Sequence, residues 1–138
     1  MLFRSCLDTS GFGFNYDEIL DYTDLVILDI KAINPELYTK ITKQKVEISL
    51  EFLKTCQKKN KKLWIRQVIV PRINDDEKHV LELKSFISKL KNVERVELLP
   101  YHSMAKGKYA KLGLDYPLGD TPEMDKQKCI ELEKLLKN

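Results

Sequence analysis

The run Leu25-Val26-Ile27-Leu28-Asp29-Ile30-Lys31 decides how the rest of the chain is read. Its apolar residues are contiguous and broken only at Asp29, the pattern expected of a strand buried on both faces of a parallel sheet. Two further stretches read as strands. One is Leu63-Trp64-Ile65-Arg66-Gln67-Val68-Ile69-Val70, ended by Pro71; the other runs from Val93 to Leu99 and is ended by Pro100. Leu2 to Asp8 reads as a short, mixed strand.

Helix signals fall between these strands. Asn34-Pro35-Glu36 is an N-cap, a proline at the first helical position and an acid in the first turn. Lys45 to Lys59 carries Val46, Ser49, Leu50, Leu53 and Cys56 at helical spacing. After Asp75 the chain to Leu90 sets Val80, Leu83, Phe86, Ile87 and Leu90 on one stripe. Thr121-Pro122-Glu123 reads as the start of a last helix with Ile130, Leu132, Leu135 and Leu136 as its inner residues. Strands alternating with such helices predict an α/β fold built from βαβ crossovers. With about four parallel strands it is either an open doubly wound sheet or an arc of a (β/α) barrel, since a closed barrel needs ~250 residues. Tyr101 to Asp120 shows no element of its own, and loops beyond ~15 residues are usually functional or disordered.

Bulk properties narrow the function classes. A length of 138 residues suits one domain or a piece of one, and 43% hydrophobic residues suffice for a core. The formal charge of +3 is too small to imply nucleic-acid binding by itself. No apolar run approaches the ~20 residues of a membrane helix, and the N-terminus does not read as a signal peptide, so a cytoplasmic protein is expected. Cys6, Cys56 and Cys129 lie too far apart for a zinc site or a close cluster-binding group. All three are expected to be buried or half-buried thiols. The basic run Lys58-Lys59-Asn60-Lys61-Lys62 is read as a solvated helix end, where cations favour the dipole.

The polar residues that remain fall where strands end. Leu7-Asp8-Thr9-Ser10-Gly11 follows the first, Asp29-Ile30-Lys31 the second, Pro71-Arg72-Ile73-Asn74-Asp75-Asp76 the third and Pro100-Tyr101-His102 the fourth. In a parallel α/β structure those ends share one rim, where ligands bind. Each has a plainer reading as well. Asp8-Thr9-Ser10-Gly11 is also a turn composition. Asp29 also suits a turn cap, and with Lys31, two residues on, a local ion pair. His102 also suits an ordinary surface histidine. Arg66 is harder to reduce to structure: inside an apolar strand it needs an anionic partner, either Asp29 or a ligand.

Four blocks then acquire a common meaning. Cys6-Leu7-Asp8-Thr9-Ser10-Gly11, Asp24 to Lys31, Trp64 to Pro71 and Leu98-Leu99-Pro100-Tyr101-His102 resemble, in order and spacing, the pyruvate formate-lyase activating enzymes. Lys108-Tyr109, Leu112-Gly113 and Tyr116 continue the pattern, so the resemblance spans nearly the whole chain. It implies a partial (β/α)6, TIM-like barrel of the radical S-adenosylmethionine class, of which residues 1–138 are the C-terminal portion. Such enzymes bind a 4Fe-4S cluster through Cys-x3-Cys-x2-Cys. They cleave S-adenosylmethionine to a 5′-deoxyadenosyl radical, which takes a hydrogen from a glycine of the partner lyase. By position, Asp8, Thr9 and Asp29, with the backbone of Ile27, match a monovalent-cation site of hard oxygen ligands. Asp29 and Lys31 match the Asp-x-Lys motif that contacts S-adenosylmethionine, His102 a histidine near its nucleoside end, and Arg66 an arginine inside the barrel.

The chain also departs from that pattern. It contains no Cys-x3-Cys-x2-Cys motif and no glycine-rich segment to grip the cofactor's amino group, so no cluster is expected in it. Arg72 and Ala105 stand where the family commonly has glycine. The expectation is therefore a catalytically incomplete portion of such an activase, self-associating through the strand edge that upstream strands would cover. The alternatives are a non-catalytic module that binds the partner lyase, and an unrelated α/β enzyme using Asp29, Lys31 and His102 for acid–base work. No nucleic-acid or membrane partner is expected.

Overall fold

A computed structural model of the chain describes residues 4–137. The elements run β1 (Cys6–Thr9), α1 (Tyr16–Asp21), β2 (Leu25–Asp29), α2 (Pro35–Thr42), α3 (Val46–Lys58), β3 (Lys62–Ile69), α4 (Glu77–Ile87) and β4 (Val93–Pro100). A 3-10 turn (Ser103–Ala105), α5 (Lys106–Lys111) and α6 (Lys126–Lys137) follow. The four strands form one sheet in chain order, with β1, β2 and β3 parallel. This is the α/β alternation with flanking helices expected above. That first strand was expected from Leu2; its opening residues lie outside the described ones.

The chain gathers into two compact units. One comprises the residues up to Gln67 with Glu82–Glu97, the other Val68–Leu81 with the residues from Leu98 on. In the first unit, register sets the character of the sheet. Asp8 pairs with Ile27, Ile27 with Trp64, and Asp29 with Arg66. Side chains alternate across a strand, so Asp8, Asp29 and Arg66 share one face with Ile27 and Trp64. Val26, Leu28, Leu63 and Ile65 point the other way and are fully buried. β2 was expected to be sealed on both faces. Instead Leu25, Ile27 and Asp29 stay half-buried, because their face carries charged groups that a dry core would not tolerate.

Helix α3 lies over the apolar face. Gly11, at φ 74°, sits where an added Cβ would come within 3.0 Å of Ser49 Oγ and 3.1 Å of Phe52 Cδ1. The Ser49 hydroxyl donates to the Ser10 carbonyl at 2.9 Å, fastening α3 to the turn after β1. Helix α2 starts as read: the Asn34 side chain accepts from Leu37 N at 2.9 Å with Pro35 next in line. Short helix α1, which the sequence reading did not assign, buries only Leu20. The lysines after α3 have local partners: Lys59 with Asp17 and Asp21, Lys61 with the Thr23 carbonyl, Lys62 with Glu94.

In the second unit, Asn74 is buried and closes the end of β3. It accepts from Val70 N at 2.6 Å and donates to the Val68 carbonyl at 3.0 Å. Asp75 accepts from Arg72 N at 2.8 Å and from Lys128 Nζ at 2.6 Å. The Lys128 hydrogen bond in particular holds its carboxyl below the usual range. Helix α6 starts later than Thr121, because Asp125 provides the cap by accepting from Lys128 N at 2.7 Å. Its inward stripe is Cys129 and Leu132, with Leu135 and Leu136 half-buried. Ile130, expected inside, is 53% exposed, since it lies one residue, about 100°, off that stripe.

The stretch expected to lack structure holds the 3-10 turn and α5. Most of its residues are exposed, so no apolar periodicity marks it in sequence. It is held by polar and aromatic contacts, among them the Lys106–Asp120 ion pair at 3.2 Å and the edge-to-face rings of Tyr109 and Tyr116. Ser103 donates from N and Oγ to Glu123 Oε1 at 3.0 and 2.9 Å, and the hydroxyls of Tyr101 and Tyr116 meet at 2.8 Å.

Arg72 explains one departure from the family pattern. It adopts φ 67°, the left-handed region where a β-carbon costs about 1–2 kcal/mol and glycine nothing. Ala105, the other such position, has an ordinary φ of −68° and no reason to require glycine. The variant Arg72→Gly is expected to raise unfolding stability by about 1 kcal/mol, after allowance for the greater freedom of glycine in the unfolded chain. Urea titration measures it, and an unchanged or lower midpoint would contradict the strain assigned to Arg72.

Candidate functional site

Three neighbouring strands each place one charged residue on the half-open face, and these residues meet. Arg66, in β3, donates from Nε to Asp29 Oδ1 at 2.8 Å and from Nη2 to Asp8 Oδ1 at 2.7 Å. Asp29 closes β2 and Asp8 lies in β1. Just beyond β2, Lys31 Nζ approaches the other oxygen of Asp29 at 3.4 Å. Arg66 and Asp29 are mostly covered, with 22% and 25% of their side chains exposed, whereas Asp8 at 58% is open to solvent. Burial works against the guanidinium charge, but the hydrogen bonds to Asp29 and then Asp8 outweigh it and raise the Arg66 pKa above its ordinary value.

Inside an apolar strand Arg66 needs an anionic partner, either Asp29 or a ligand. The structure gives Asp29 and adds Asp8, a pairing across two strands that only the register reveals. The local pair of Asp29 with Lys31 is also present. Thr9 behaves differently. It pairs with Leu28, on the apolar side, and its hydroxyl accepts from Gly11 N at 3.0 Å, forming the turn suggested by Asp-Thr-Ser-Gly. His102 belongs to the second unit. It is exposed, extended (φ −132°, ψ 150°), and leads from β4 into the 3-10 turn. Within the first unit, then, Asp8, Asp29, Lys31 and Arg66 come together.

The face continues along β3. Trp64 lies two residues before Arg66 on the same side, and the guanidinium of Arg95 stacks over its ring at 5.1 Å. Chemically, the network presents two carboxylates and two cations at the strand ends, suited to orienting a ligand with both an anionic and a cationic group.

Two of the three thiols are covered. Cys56, in α3, is pushed up to about 12 by burial, and burial also raises Cys129, which sits in the other unit. Cys6 differs from the expectation of a covered thiol: it opens β1 on the half-open face and is exposed. Among the described residues no group of three or more His, Cys, Asp or Glu is arranged to hold a metal ion. Among them, too, no helix is long and apolar enough to cross a membrane.

Comparison with known proteins supports the resemblance. No family model matches the chain. The pyruvate formate-lyase-activating enzyme of Clostridium pasteurianum is 46% identical over 135 residues, covering 97% of this chain and 57% of that protein. The pyruvate formate-lyase 1-activating enzyme of Escherichia coli K12 is 40% identical over 135 residues, covering 95% and 54%. The chain spans about half the length of the curated relatives it matches. Among solved structures, a domain of pyruvate-formate lyase-activating enzyme from Bacteroides vulgatus superposes with a TM-score of 0.74 at 18% identity, over 97% of this chain and 75% of that one. A radical SAM methyltransferase from Sphaerobacter thermophilus superposes at 0.68 and 14%, over 96% and 37%. At such identities these two structures show a shared fold, while the sequence relatives bear out the resemblance read from the four blocks.

Alkylation of the native chain at pH 8 should modify one thiol, Cys6, quickly, and all three only in denaturant. Rapid native labelling of Cys56 or Cys129, read by peptide mass spectrometry, would contradict the burial that sets their thiols aside.

Proposed function

We propose that these 138 residues are part of a radical S-adenosylmethionine activase acting on a glycyl-radical enzyme, pyruvate formate-lyase. In this reading they supply the ligand-orienting rim of the barrel and not its cluster. The observation that carries it is the Asp8–Arg66–Asp29–Lys31 network at the strand ends. It stands in a chain homologous over nearly its whole length to such activases. When bound with a reduced 4Fe-4S cluster, S-adenosylmethionine supplies the radical that takes a hydrogen from the partner's glycine.

This chain's residues hold and orient. Lys31, with 38% of its side chain exposed, has donors to spare for an anionic group of the ligand. Asp29 fixes Lys31 on one oxygen and Arg66 on the other. Arg66 offers its planar fork to a carboxylate, and His102 is assigned to the nucleoside end. The monovalent-cation role of Asp8, Thr9 and Asp29 belongs to the same reading and requires Arg66 to leave the two carboxylates. With its thiols as described, the chain alone should not cleave S-adenosylmethionine. A cytoplasmic setting goes with this assignment.

A second reading, a partner-binding portion without catalysis, is favoured by one observation: Met104 and Leu112 are 77% and 72% exposed in the segment between β4 and α6. Self-association belongs to the proposal as well. The outer edge of β1 has no partner strand among the described residues, and a monomer by light scattering at micromolar concentration would remove that part.

Saturation-transfer NMR with S-adenosylmethionine separates the two readings. The rim assignment expects transfer to the ligand at millimolar concentration, with binding about tenfold or more weaker in Lys31→Ala and Asp29→Asn, since each loses a charge-assisted hydrogen bond. No transfer in the wild type, with retained binding to pyruvate formate-lyase, would replace it with the partner-binding reading.

A further inference from the structure

We infer that Glu123 is the positioning residue of His102: with the backbone of Met124 it clamps the residues on either side of the imidazole and so fixes where the ring is presented. In the proposed function His102 meets the nucleoside end of S-adenosylmethionine, and the inference rests on that assignment. His102 is exposed and extended between the end of β4 and the 3-10 turn, so packing does little to hold its ring. Its neighbours are fixed instead. Before it, buried Tyr101 donates from N to the Ile69 carbonyl and accepts at its own carbonyl from Met124 N, both at 3.0 Å. After it, Ser103 donates from N and Oγ to one oxygen of Glu123, at 3.0 and 2.9 Å.

Glu123 is available for this because no helix uses it. Pro122 and Glu123 imitate a helix start, but α6 opens at Lys126 under the cap of Asp125. The carboxylate of Glu123 is turned to the 3-10 turn, and the hydrogen bonds from Ser103, the backbone one foremost, hold it below the usual carboxylate range. The charge of His102 lowers it further, so carboxylate and imidazole lie within electrostatic reach of each other. Met124 is buried, which anchors the segment that carries the carboxylate. Glu123 and Met124 thus brace Ser103 and Tyr101 together, by one side chain and one backbone N–H, while the ring between them stays open. The clamp leaves the imidazole its solvent access and removes backbone freedom that a ligand would otherwise have to remove on binding.

The test is NMR relaxation of the backbone amides, followed by saturation transfer from the chain to S-adenosylmethionine. In Glu123→Ala the order parameters of His102 and Ser103 should fall from about 0.85 toward 0.6, while that of Asn74 at the end of β3 stays unchanged. Glu123→Gln, which keeps the accepting oxygen, should restore them. On the ligand, Glu123→Ala should cut transfer to the adenine protons about threefold or more relative to the S-methyl protons, because the competent placement of His102 is then only partly populated. An equal loss at both ends of the ligand would make the role of Glu123 merely structural and overturn the inference. Unchanged order parameters in a folded Glu123→Ala chain would overturn it too. If Glu123→Ala does not fold, Ser103→Ala, which removes one of the two hydrogen bonds, should show the same changes reduced. Transfer in the wild type with an unmoved His102 in Glu123→Ala would leave the proposed function standing and this inference fallen. No transfer even in the wild type would end the proposed function, and the order parameters alone would then decide whether Glu123 holds His102.

Discussion

One guanidinium spans three strands. Arg66 reaches from β3 across its register partner Asp29 in β2 to Asp8 in β1, and both hydrogen bonds are short and charge-assisted. Parallel strands have no hairpin to set their alignment, so their relative positions come from the crossovers and from side-chain contacts. Here the crossover through α1 is short and buries a single residue, Leu20. The ion network therefore adds to the ladder with β2 in keeping β1 aligned with the sheet. It also makes these strand ends polar, which is why the strand face bearing it stays half-open while the opposite face closes over Val26, Leu28, Leu63 and Ile65.

The two faces of the sheet do different work under different constraints. On the apolar face the limits are volumes: Gly11 has no room for a β-carbon between Ser49 and Phe52, and close packing of this kind tolerates little change in size. On the other face the limits are charges, since each ionic group must keep its partner or lose more than a contact. The turn after β1 belongs to both, because Asp8 looks into the network while Thr9 and Ser10 tie the chain to itself and to α3.

Much of this was legible in the sequence. The three long strands, the Asn34-Pro35 helix start and the need of Arg66 for an anion follow from patterns a few residues long, where local chemistry dominates. What was not legible depends on distance. That Asp8 joins Asp29 at Arg66 requires the register of three strands, which no local pattern encodes. Ile27 looked as buried as Leu28 because composition cannot tell a sealed face from a half-open one. Helix α5 was invisible for a different reason: it has no buried stripe, and its segment is held by contacts such as those of Ser103, Glu123 and two tyrosine hydroxyls rather than by apolar periodicity. The start of α6 was misplaced because Thr121-Pro122 imitates a cap that Asp125 in fact provides.

The pairing of Asp29 with Arg66 in one register bears on how the chain finds its fold. Side chains alternate with a period of two, so sliding β2 by one residue against β3 would turn Asp29 into the apolar layer and bring Val26 and Leu28 out to water. The error would strand one buried charge and, across the network, deprive a second of its partner, a penalty far above that of a misplaced alkyl group. The ionic triplet thus acts as a proofreading device during assembly: collapsed states with the wrong alignment are not slightly worse than the native one but separated from it by a wide energy gap. A sheet built of interchangeable Val, Ile and Leu residues alone would lack that discrimination, and it is the charged residues that tell the chain when its strands are in step.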